Sequence, residues 1–246
     1  MIYTFLIWIL TLNFSQLNDD RLTVAAAANT QFVMKELVAS FEERHSVKVD
    51  LILGSSGKLT TQIANGAPFD IFLAADMDYP NYLYQNGLTN HQPRVYASGI
   101  AVLWTTNNTR LKDIHSLKSS EIRRIAIANP KTAPYGKLSM EILKSYHYSD
   151  LLKDKLVFGE SISQVNQYVT LKVVDVGITS KSVVLSPELN KVGNWIELPN
   201  AQIEQGVVVI NQVSEKKQEL AMKFYEFLQS STAKALFSKY GYICKP

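Results

Sequence analysis

The sequence predicts an α/β protein, and three observations support this prediction. Short apolar runs typical of strands alternate with longer segments of helical periodicity from residue 21 to the C-terminus. The chain has 246 residues, 46% of them hydrophobic and 19% charged, enough for one large domain or for two lobes. Its 11 glycines and 8 prolines are too few for a low-complexity or disordered chain. Periodicity alone does not distinguish a single sheet from two lobes between which the chain passes more than once.

The first segment predicts export. Residues 1–12 are almost entirely apolar, and charge first appears at Asp19. A run of about a dozen apolar residues is shorter than the roughly 20 that span a bilayer, but it fits the apolar region of a secretory signal. No Lys or Arg precedes the run and no small-residue cleavage site follows it, so a buried first strand or helix stays open as the alternative. We interpret residues 1–20 as a signal peptide and expect an exported, periplasmic protein.

The first half of the alternating region predicts three strands, each followed by a helix. Apolar residues spaced by four, such as Val33, Leu37 and Phe41, indicate a helix after the first strand. The third helix is expected to end at Gly87, because a residue without Cβ suits a helix C-terminus. Strands are predicted at 22–27, 47–53 and 69–74, and helices from 30, from 59 and at 79–85.

The second half repeats the alternation without an intervening Pro-, Gly- or Ser-rich linker. Strands are predicted at 99–105, 124–128, 156–158, 174–179, 195–198 and 206–210, and helices at 137–146, 161–171, 215–229 and 232–240. Aromatic residues at helical spacing are interpreted as core residues, namely Tyr79, Tyr82, Tyr84, Phe224, Tyr225 and Phe227.

Composition excludes several classes of function. The formal net charge is +3 and the basic residues are scattered, whereas a nucleic-acid-binding protein has a basic stripe. Cys244 is the only cysteine, which excludes an internal disulfide, and we interpret it as an inert or exposed thiol. The four histidines lie far apart in the sequence. We therefore expect no metal ligands, no cofactor and no nucleic-acid partner.

Four strand-to-helix junctions are candidate binding loops, because ligands of open α/β sheets bind beyond the carboxyl ends of strands. The junctions are residues 25–30, 54–58, 129–136 and 159–163. Each combines small residues with neutral donors and is expected to present backbone N–H groups at the positive end of a helix, which attracts anions. A tetrahedral dianion held by several such ends needs no arginine if every oxygen is hydrogen-bonded. The alternative for any single junction is an ordinary helix N-cap.

The turn Gly54-Ser55-Ser56-Gly57 does not match two phosphate-binding or catalytic motifs. Ile52 and Leu59 stand where a Walker A loop needs a glycine and a Ser or Thr. The turn also lacks the G-x-S-x-G spacing of a nucleophile elbow. A nucleophilic Ser55 or Ser56 would need a base, and no histidine lies in any candidate loop. We therefore predict a binding protein rather than an enzyme.

Two carboxylates flank the third predicted strand. Asp70 and Asp76 could be read as an acid–base pair, but simpler roles explain both. We predict that Asp76 caps the helix that follows it and that Asp70 faces solvent or a partner.

Sequence blocks at these junctions resemble the periplasmic molybdate-binding proteins of ABC transporters. The most specific block contains Gly-Ser-Ser-Gly at 54–57, Gly-Ala-Pro at 66–68 and Ala-Ala-Asp at 74–76, at a spacing typical of the family. The opening strand through Asn29 also resembles the family, as do later blocks at 129–136, 141–143, 159–160 and 237–242. The likeness runs from residue 21 to the C-terminus.

The resemblance implies a type II periplasmic binding protein fold with two lobes and a two-segment hinge. Each lobe would be a mixed sheet flanked by helices, with residues 21–96 and 206–246 in lobe 1 and residues 97–205 in lobe 2. It implies a monomeric receptor that binds molybdate, and also tungstate, and delivers it to a membrane-embedded ABC permease. One alternative is a receptor for another tetrahedral oxyanion, such as sulfate or phosphate. The other is a regulatory ligand-binding domain, which would normally carry a helix-turn-helix segment, and we expect no room for one in this sequence.

The resemblance also implies a set of ligand-binding residues. Asn29 and Ser56 of lobe 1 would bind the anion together with the backbone N–H groups of Tyr135 and Ile162 of lobe 2. Many family members have a tyrosine at the position of Ser180 and a serine at that of Asn29. We hypothesise that the Tyr135 hydroxyl replaces the missing tyrosine. Further candidates are Ala28, Ser55 and Ser180.

Overall fold

The computed structural model describes residues 21–211 and 214–245. The predicted signal peptide at 1–20 lies outside the described residues. Among the helices that are described, none combines the length and the apolar character that a membrane crossing requires.

The described strands form one mixed sheet in the order β2-β1-β3-β8-β4-β7-β5-β6. Parallel pairs join β1 to β2 and β3, and β5 to β6 and β7, whereas β8 runs antiparallel to β3 and β4, and β4 antiparallel to β7. The strands are β1 (Arg21–Ala27), β2 (Lys48–Gly54), β3 (Ile71–Leu73), β4 (Arg94–Thr105), β5 (Ile125–Ala128), β6 (Leu156–Gly159), β7 (Val176–Ser180) and β8 (Asn194–Val209).

Helices flank this sheet, so the predicted α/β class with a mixed sheet and flanking helices is confirmed. The first helix buries Val33, Leu37 and Phe41, the face that its sequence predicts, and it ends where Ser46 adopts a left-handed φ of 52°. The α-helices are α1 (Gln31–His45), α2 (Ser56–Ala64), α3 (Asp78–Gln85), α4 (Pro134–Ser145), α5 (Ile162–Thr170), α6 (Lys181–Val184), α7 (Glu215–Phe227) and α8 (Ser231–Lys239).

Two long strands connect the halves of the sheet. β4 pairs with β8 from Arg94 to Thr105, with register shifts on β4 between Val95 and Ala97 and between Ile100 and Val102. The prediction of separate strands at 195–198 and 206–210 is wrong, because β8 continues between them. Residues 202–205 pair with β4, and the second shift accommodates residues 198–201. The expected lobe boundaries, 96/97 and 205/206, fall inside β4 and β8.

The core confirms some aromatic predictions and corrects others. Phe224 packs edge-on against Phe41 at a centroid distance of 4.8 Å, and Tyr225 and Phe227 are also buried. The prediction that Tyr82 and Tyr84 are core residues is wrong, because they are 49% and 38% exposed, and Tyr79 is only partly buried. The short helix α3 turns Leu83 inward instead.

Asp70 does not face solvent; of the two predicted alternatives, the structure shows a partner side chain. The Asp70 side chain is 1% exposed and forms an ion pair with Lys217 at 3.1 Å. It also accepts a hydrogen bond from the Thr23 backbone N–H at 2.6 Å. Because Lys217 lies 147 residues away in the chain, the partner that makes this burial tolerable is not visible in the local sequence.

Candidate functional site

The four candidate loops converge on one cavity. The carboxyl ends of β1 and β2 pair at Ala27 and Gly54, and those of β5 and β6 pair at Ala128 and Gly159. Helical turns begin just beyond β1, β2 and β6, and α4 begins six residues beyond β5. The cavity is small, about 10 Å³, and it is lined by Ala27, Ala28, Asn29, Gly54, Ser55, Ser56, Ala75, Ala133, Pro134, Tyr135 and Ile162. None of these lining residues carries a charge.

Helix starts face this cavity without capping side chains. The N-cap residues of α2, α4 and α5 are Ser55, Ala133 and Ser161, and none of their side chains makes a capping hydrogen bond. The Gly57 N–H of α2 donates to the Thr132 carbonyl at 2.8 Å. The first N–H groups of a helix have no partner within the helix, so the uncapped starts leave donors for an anion.

Two buried serines add hydroxyl groups to the cavity. Ser56 Oγ accepts a hydrogen bond from the Ala75 N–H at 3.0 Å, which leaves its own hydrogen for another acceptor. Ser55 Oγ is buried and has no hydrogen-bond partner within the described chain. A buried hydroxyl without a partner is costly, so the Ser55 position favours a ligand that accepts from it.

Asn29 lies in the candidate loop after β1, in a short 3₁₀ helix at Ala28–Thr30. Its Nδ2 donates to Gln205 Oε1 and to Tyr242 Oη, both at 3.0 Å, whereas its Oδ1 is buried without a partner among the described residues. The Asn29 carbonyl accepts from Ser182 Oγ at 2.7 Å. The loop is therefore held by its backbone and by one end of its amide.

Tyr135 places its backbone and its hydroxyl in different surroundings. The hydroxyl lies 3.1 Å from Ser180 Oγ and accepts from Gln205 Nε2 at 3.1 Å, and burial raises the pKa of Tyr135 to about 12, so the phenol stays neutral. Either oxygen of the contact with Ser180 can be the donor, so the role of the Tyr135 hydroxyl as a substitute ligand group stays a prediction. The Tyr135 N–H belongs to the first turn of α4, at the cavity.

The structure brings together most residues that the sequence predicts for the site. Ser180 does not line the cavity but caps α6, accepting from the Ser182 N–H at 3.3 Å, and it contacts the Tyr135 hydroxyl. The six that line it are Ala28, Asn29, Ser55, Ser56, Tyr135 and Ile162.

Sequence reasoning missed the residues that hold Asn29 from behind. Gln205 is fully buried on β8, and Tyr96 on β4 and Tyr242 near the C-terminus are also buried. Tyr96 Oη donates to Gln205 Oε1 at 2.6 Å. The local sequence shows only a glutamine next to the apolar run that begins at Gly206, and this pattern does not show which residues Gln205 contacts.

Polar contacts cross the cavity at its rim. Lys58 after β2 pairs with Glu160 after β6, and Lys137 of α4 pairs with Asp78 of α3 at 2.9 Å. Ser163 Oγ also donates to the Gln31 side chain at 2.8 Å. These charged groups are exposed and occur in opposite pairs, so the rim adds little net charge to the cavity.

Asp76 lies at the edge of this region, next to α3. Its Oδ1 accepts from the Tyr79 N–H at 3.3 Å, which confirms the prediction that Asp76 caps the following helix. Burial raises the pKa of Asp76 to about 6.

Comparison with known proteins identifies the family. Residues 22–243 match the family model of bacterial extracellular solute-binding proteins. The molybdate-binding protein ModA of Rhodobacter capsulatus is 33% identical over 223 residues, covering 89% of this chain and 86% of that protein. ModA of Azotobacter vinelandii is 34% identical over 224 residues, covering 89% and 88%.

A solved structure agrees with the sequence relatives. The Azotobacter vinelandii periplasmic molybdate-binding protein matches with a TM-score of 0.86 and 26% identity, covering 92% of this chain and all of that one. These relatives are binding proteins, which confirms the prediction of a binding protein rather than an enzyme. The chain therefore belongs to the bacterial extracellular solute-binding proteins, and its resemblance to the molybdate-binding proteins among them is confirmed.

Proposed function

We propose that the protein binds molybdate in the cavity described above and delivers it to an ABC permease. The observation that carries this proposal is the convergence of uncapped helix starts on a cavity whose lining residues are all uncharged. The proposed ligand donors are Asn29, Ser56 and the N–H groups of Tyr135 and Ile162, with Ser55 and Ala28 as neighbours in the same lining.

The electrostatics of such a cavity suit a doubly charged anion. Each α-helix N-terminus is equivalent to roughly half a positive charge, so α2, α4 and α5 together offset most of the charge of a dianion. Hydroxyl and amide donors then satisfy the individual oxygens. A cationic side chain is then unnecessary. The lining has none, which favours an anion that is bound by neutral donors in fixed positions.

Binding and closure are coupled in this proposal. We assign residues 21–96 and 206–246 to one lobe and 97–205 to the other, with β4 and β8 as the two hinge segments. Donors from Ser56 and Ile162 then come from different lobes. The ligand favours the closed form because only that form offers it both sets of donors. The contacts between Lys58 and Glu160, and between Gly57 and Thr132, would form on closure.

Selectivity would depend on the size of the closed cavity. Donors fixed at helix starts cannot follow a smaller anion inward, so sulfate would be bound less tightly than molybdate. Tungstate is nearly the same size as molybdate, and we expect it to bind as well. We also propose that the protein is exported to the periplasm, after removal of residues 1–20, and acts as a monomer.

The test is calorimetric titration and thermal unfolding of the purified protein with molybdate, tungstate, sulfate and phosphate. A ligand bound only by the native state raises the melting temperature, by the equivalent of about 4 kcal/mol at a thousand times its dissociation constant. We expect large shifts with molybdate and tungstate that shrink in Ser56→Ala. Tight binding of sulfate or phosphate without binding of molybdate would overturn the proposal in favour of another oxyanion receptor.

A further inference from the structure

The Asn29 amide is held in a buried hydrogen-bond network that has two possible orientations. In the arrangement described above, Asn29 Nδ2 donates to Gln205 and Tyr242, and Oδ1 is left without a partner in the described part of the chain. Asn29 lines the cavity, whereas Gln205 and Tyr242 do not. The end of the amide that faces the cavity is therefore an acceptor, which would repel an anion.

Tyr96 shows a second inconsistency in the same arrangement. Its hydroxyl lies 2.6 Å from Gln205 Oε1 and 3.2 Å from the Ala74 carbonyl. Both neighbours are acceptors, but a hydroxyl has only one hydrogen to donate. One of these two close contacts is thus left without a hydrogen.

Turning over both amides removes both inconsistencies without moving a heavy atom, because the two ends of a primary amide have the same shape. Gln205 Nε2 then donates to Asn29 Oδ1 and to Tyr96 Oη, and Tyr96 donates to the Ala74 carbonyl. Gln205 Oε1 accepts from the Tyr135 hydroxyl at the existing distance of 3.1 Å.

The same change reverses what Asn29 offers to the cavity. Asn29 Oδ1 now accepts from Gln205 and from the Tyr242 hydroxyl, at the existing distances of 3.0 Å. The Tyr242 hydrogen then leaves the Asn29 carbonyl, 3.1 Å away, and this carbonyl keeps its hydrogen bond from Ser182 Oγ at 2.7 Å. The NH₂ group takes the place of the unpartnered oxygen, with its hydrogens available to a ligand. The buried acceptor that lacked a donor is replaced by a donor directed toward the position of the anion.

We propose that Gln205 is a positioning residue that turns the Asn29 amide so that its NH₂ group faces the cavity. The effect on molybdate affinity rests on the proposed function, whereas the orientation of the amide does not. Gln205 suits this role because it is fully buried and contacts Asn29, Tyr96 and Tyr135 through its two amide ends.

Gln205→Glu tests the proposal, because an ionised carboxylate only accepts hydrogen bonds. It would hold the Asn29 NH₂ away from the cavity, and we expect at least a tenfold loss of molybdate affinity at pH 10, where even a fully buried glutamate is ionised. Burial raises the pKa of a glutamate, so lowering the pH to 5.5 restores a donor and should recover most of the affinity. The control is Gln202→Glu, the same substitution at an exposed position of β8, which should bind like wild type at both pH values.

Neutron diffraction of the deuterated wild-type protein reads the orientation directly. Deuterons on the cavity-facing atom of the Asn29 amide support the proposal, and deuterons on the atom that faces Gln205 overturn it, whether or not molybdate binds and whether or not the variant folds. Gln205→Glu binding as tightly as Gln202→Glu at pH 10 would also overturn it. Absence of molybdate binding by wild type would instead refute the proposed function.

Discussion

Ser55→Ala should stabilise the ligand-free protein while weakening anion binding. The Ser55 hydroxyl is buried without a partner in the described structure, and as the N-cap of α2 it makes no capping bond. Its removal costs no hydrogen bond and relieves a desolvation cost of about 1–3 kcal/mol. About 1 kcal/mol corresponds to a rise of about 2–4 °C in melting temperature for a chain of this size.

The same substitution removes a donor from the proposed anion site. A hydrogen bond to a charged group contributes about 1.5–3 kcal/mol, so molybdate affinity should fall roughly 10- to 150-fold. Melting curves without ligand and calorimetric titration with molybdate measure the two effects separately. The opposite signs are diagnostic, because a substitution that merely disturbs the fold would lower both quantities.

Two serines provide matched controls. Ser186 Oγ is also buried without a partner among the residues described, but Ser186 does not line the cavity, so Ser186→Ala should raise the melting temperature and leave affinity unchanged. Ser56 Oγ accepts from the Ala75 N–H, so Ser56→Ala should lower both stability and affinity. Unchanged molybdate affinity in Ser55→Ala would refute the assignment of this hydroxyl to the site.

Three further predictions concern the surroundings of the site. A Cβ added at Gly99 would overlap the Tyr135 hydroxyl and the Gln205 amide. Gly99→Ala should therefore lower the free energy of unfolding in urea by about 1–3 kcal/mol and should also lower the affinity for molybdate. A variant as stable as wild type would contradict this packing. Lys58→Gln breaks the exposed ion pair with Glu160. Because exposed ion pairs contribute about 0.2–1 kcal/mol, calorimetry should show less than about a fivefold loss of molybdate affinity. A larger loss would mean that Lys58 contacts the anion. The pKa of Asp76, about 6, is higher than in the unfolded chain, so the native state binds more protons between about pH 4 and 6, and the contribution of Asp76 to stability falls as the pH rises through that range. In urea unfolding, Asp76→Asn should therefore be about 1–3 kcal/mol more stable than wild type at pH 7 and little different at pH 4. An equal gain in stability at both pH values would refute this prediction.

The sequence predicts the site loops well because their signals are local. Small residues such as Ala27 and Gly54 end the strands, and Ser55 and Pro134 mark helix starts within a few positions. Parallel strands bring their carboxyl ends to one edge of a sheet, so strand order alone gathers these loops.

The remaining features depend on contacts between distant parts of the chain. Asp70 looks like a solvent-exposed carboxylate in the local sequence, but Lys217 covers it. Gln205 lies between two predicted strands, and only the fold shows that it contacts Asn29 and Tyr135. The polar stretch around Asn200 hides the continuity of β8 because it lacks alternating hydrophobicity. Residues 198–201 form the register shift, where Asn200 adopts a left-handed φ of 51°, and pairing with β4 continues on both sides of them. Local patterns carry no information on such pairings.

Under the proposed closure of two lobes, a neutral cavity between them would also signal occupancy to a permease. A cationic pocket would attract an anion to either half alone, whereas helix starts and hydroxyls satisfy a dianion only when donors such as Ser56 and Ile162 surround it together. Partial binding would leave oxygens without partners, so most of the binding free energy would arise in the proposed closure. The rim pair of Lys58 and Glu160 cancels in charge and contributes little attraction before closure. In this proposal a closed molecule reports a bound anion, because closure without the anion would leave the first N–H groups of α2 and α5 without acceptors.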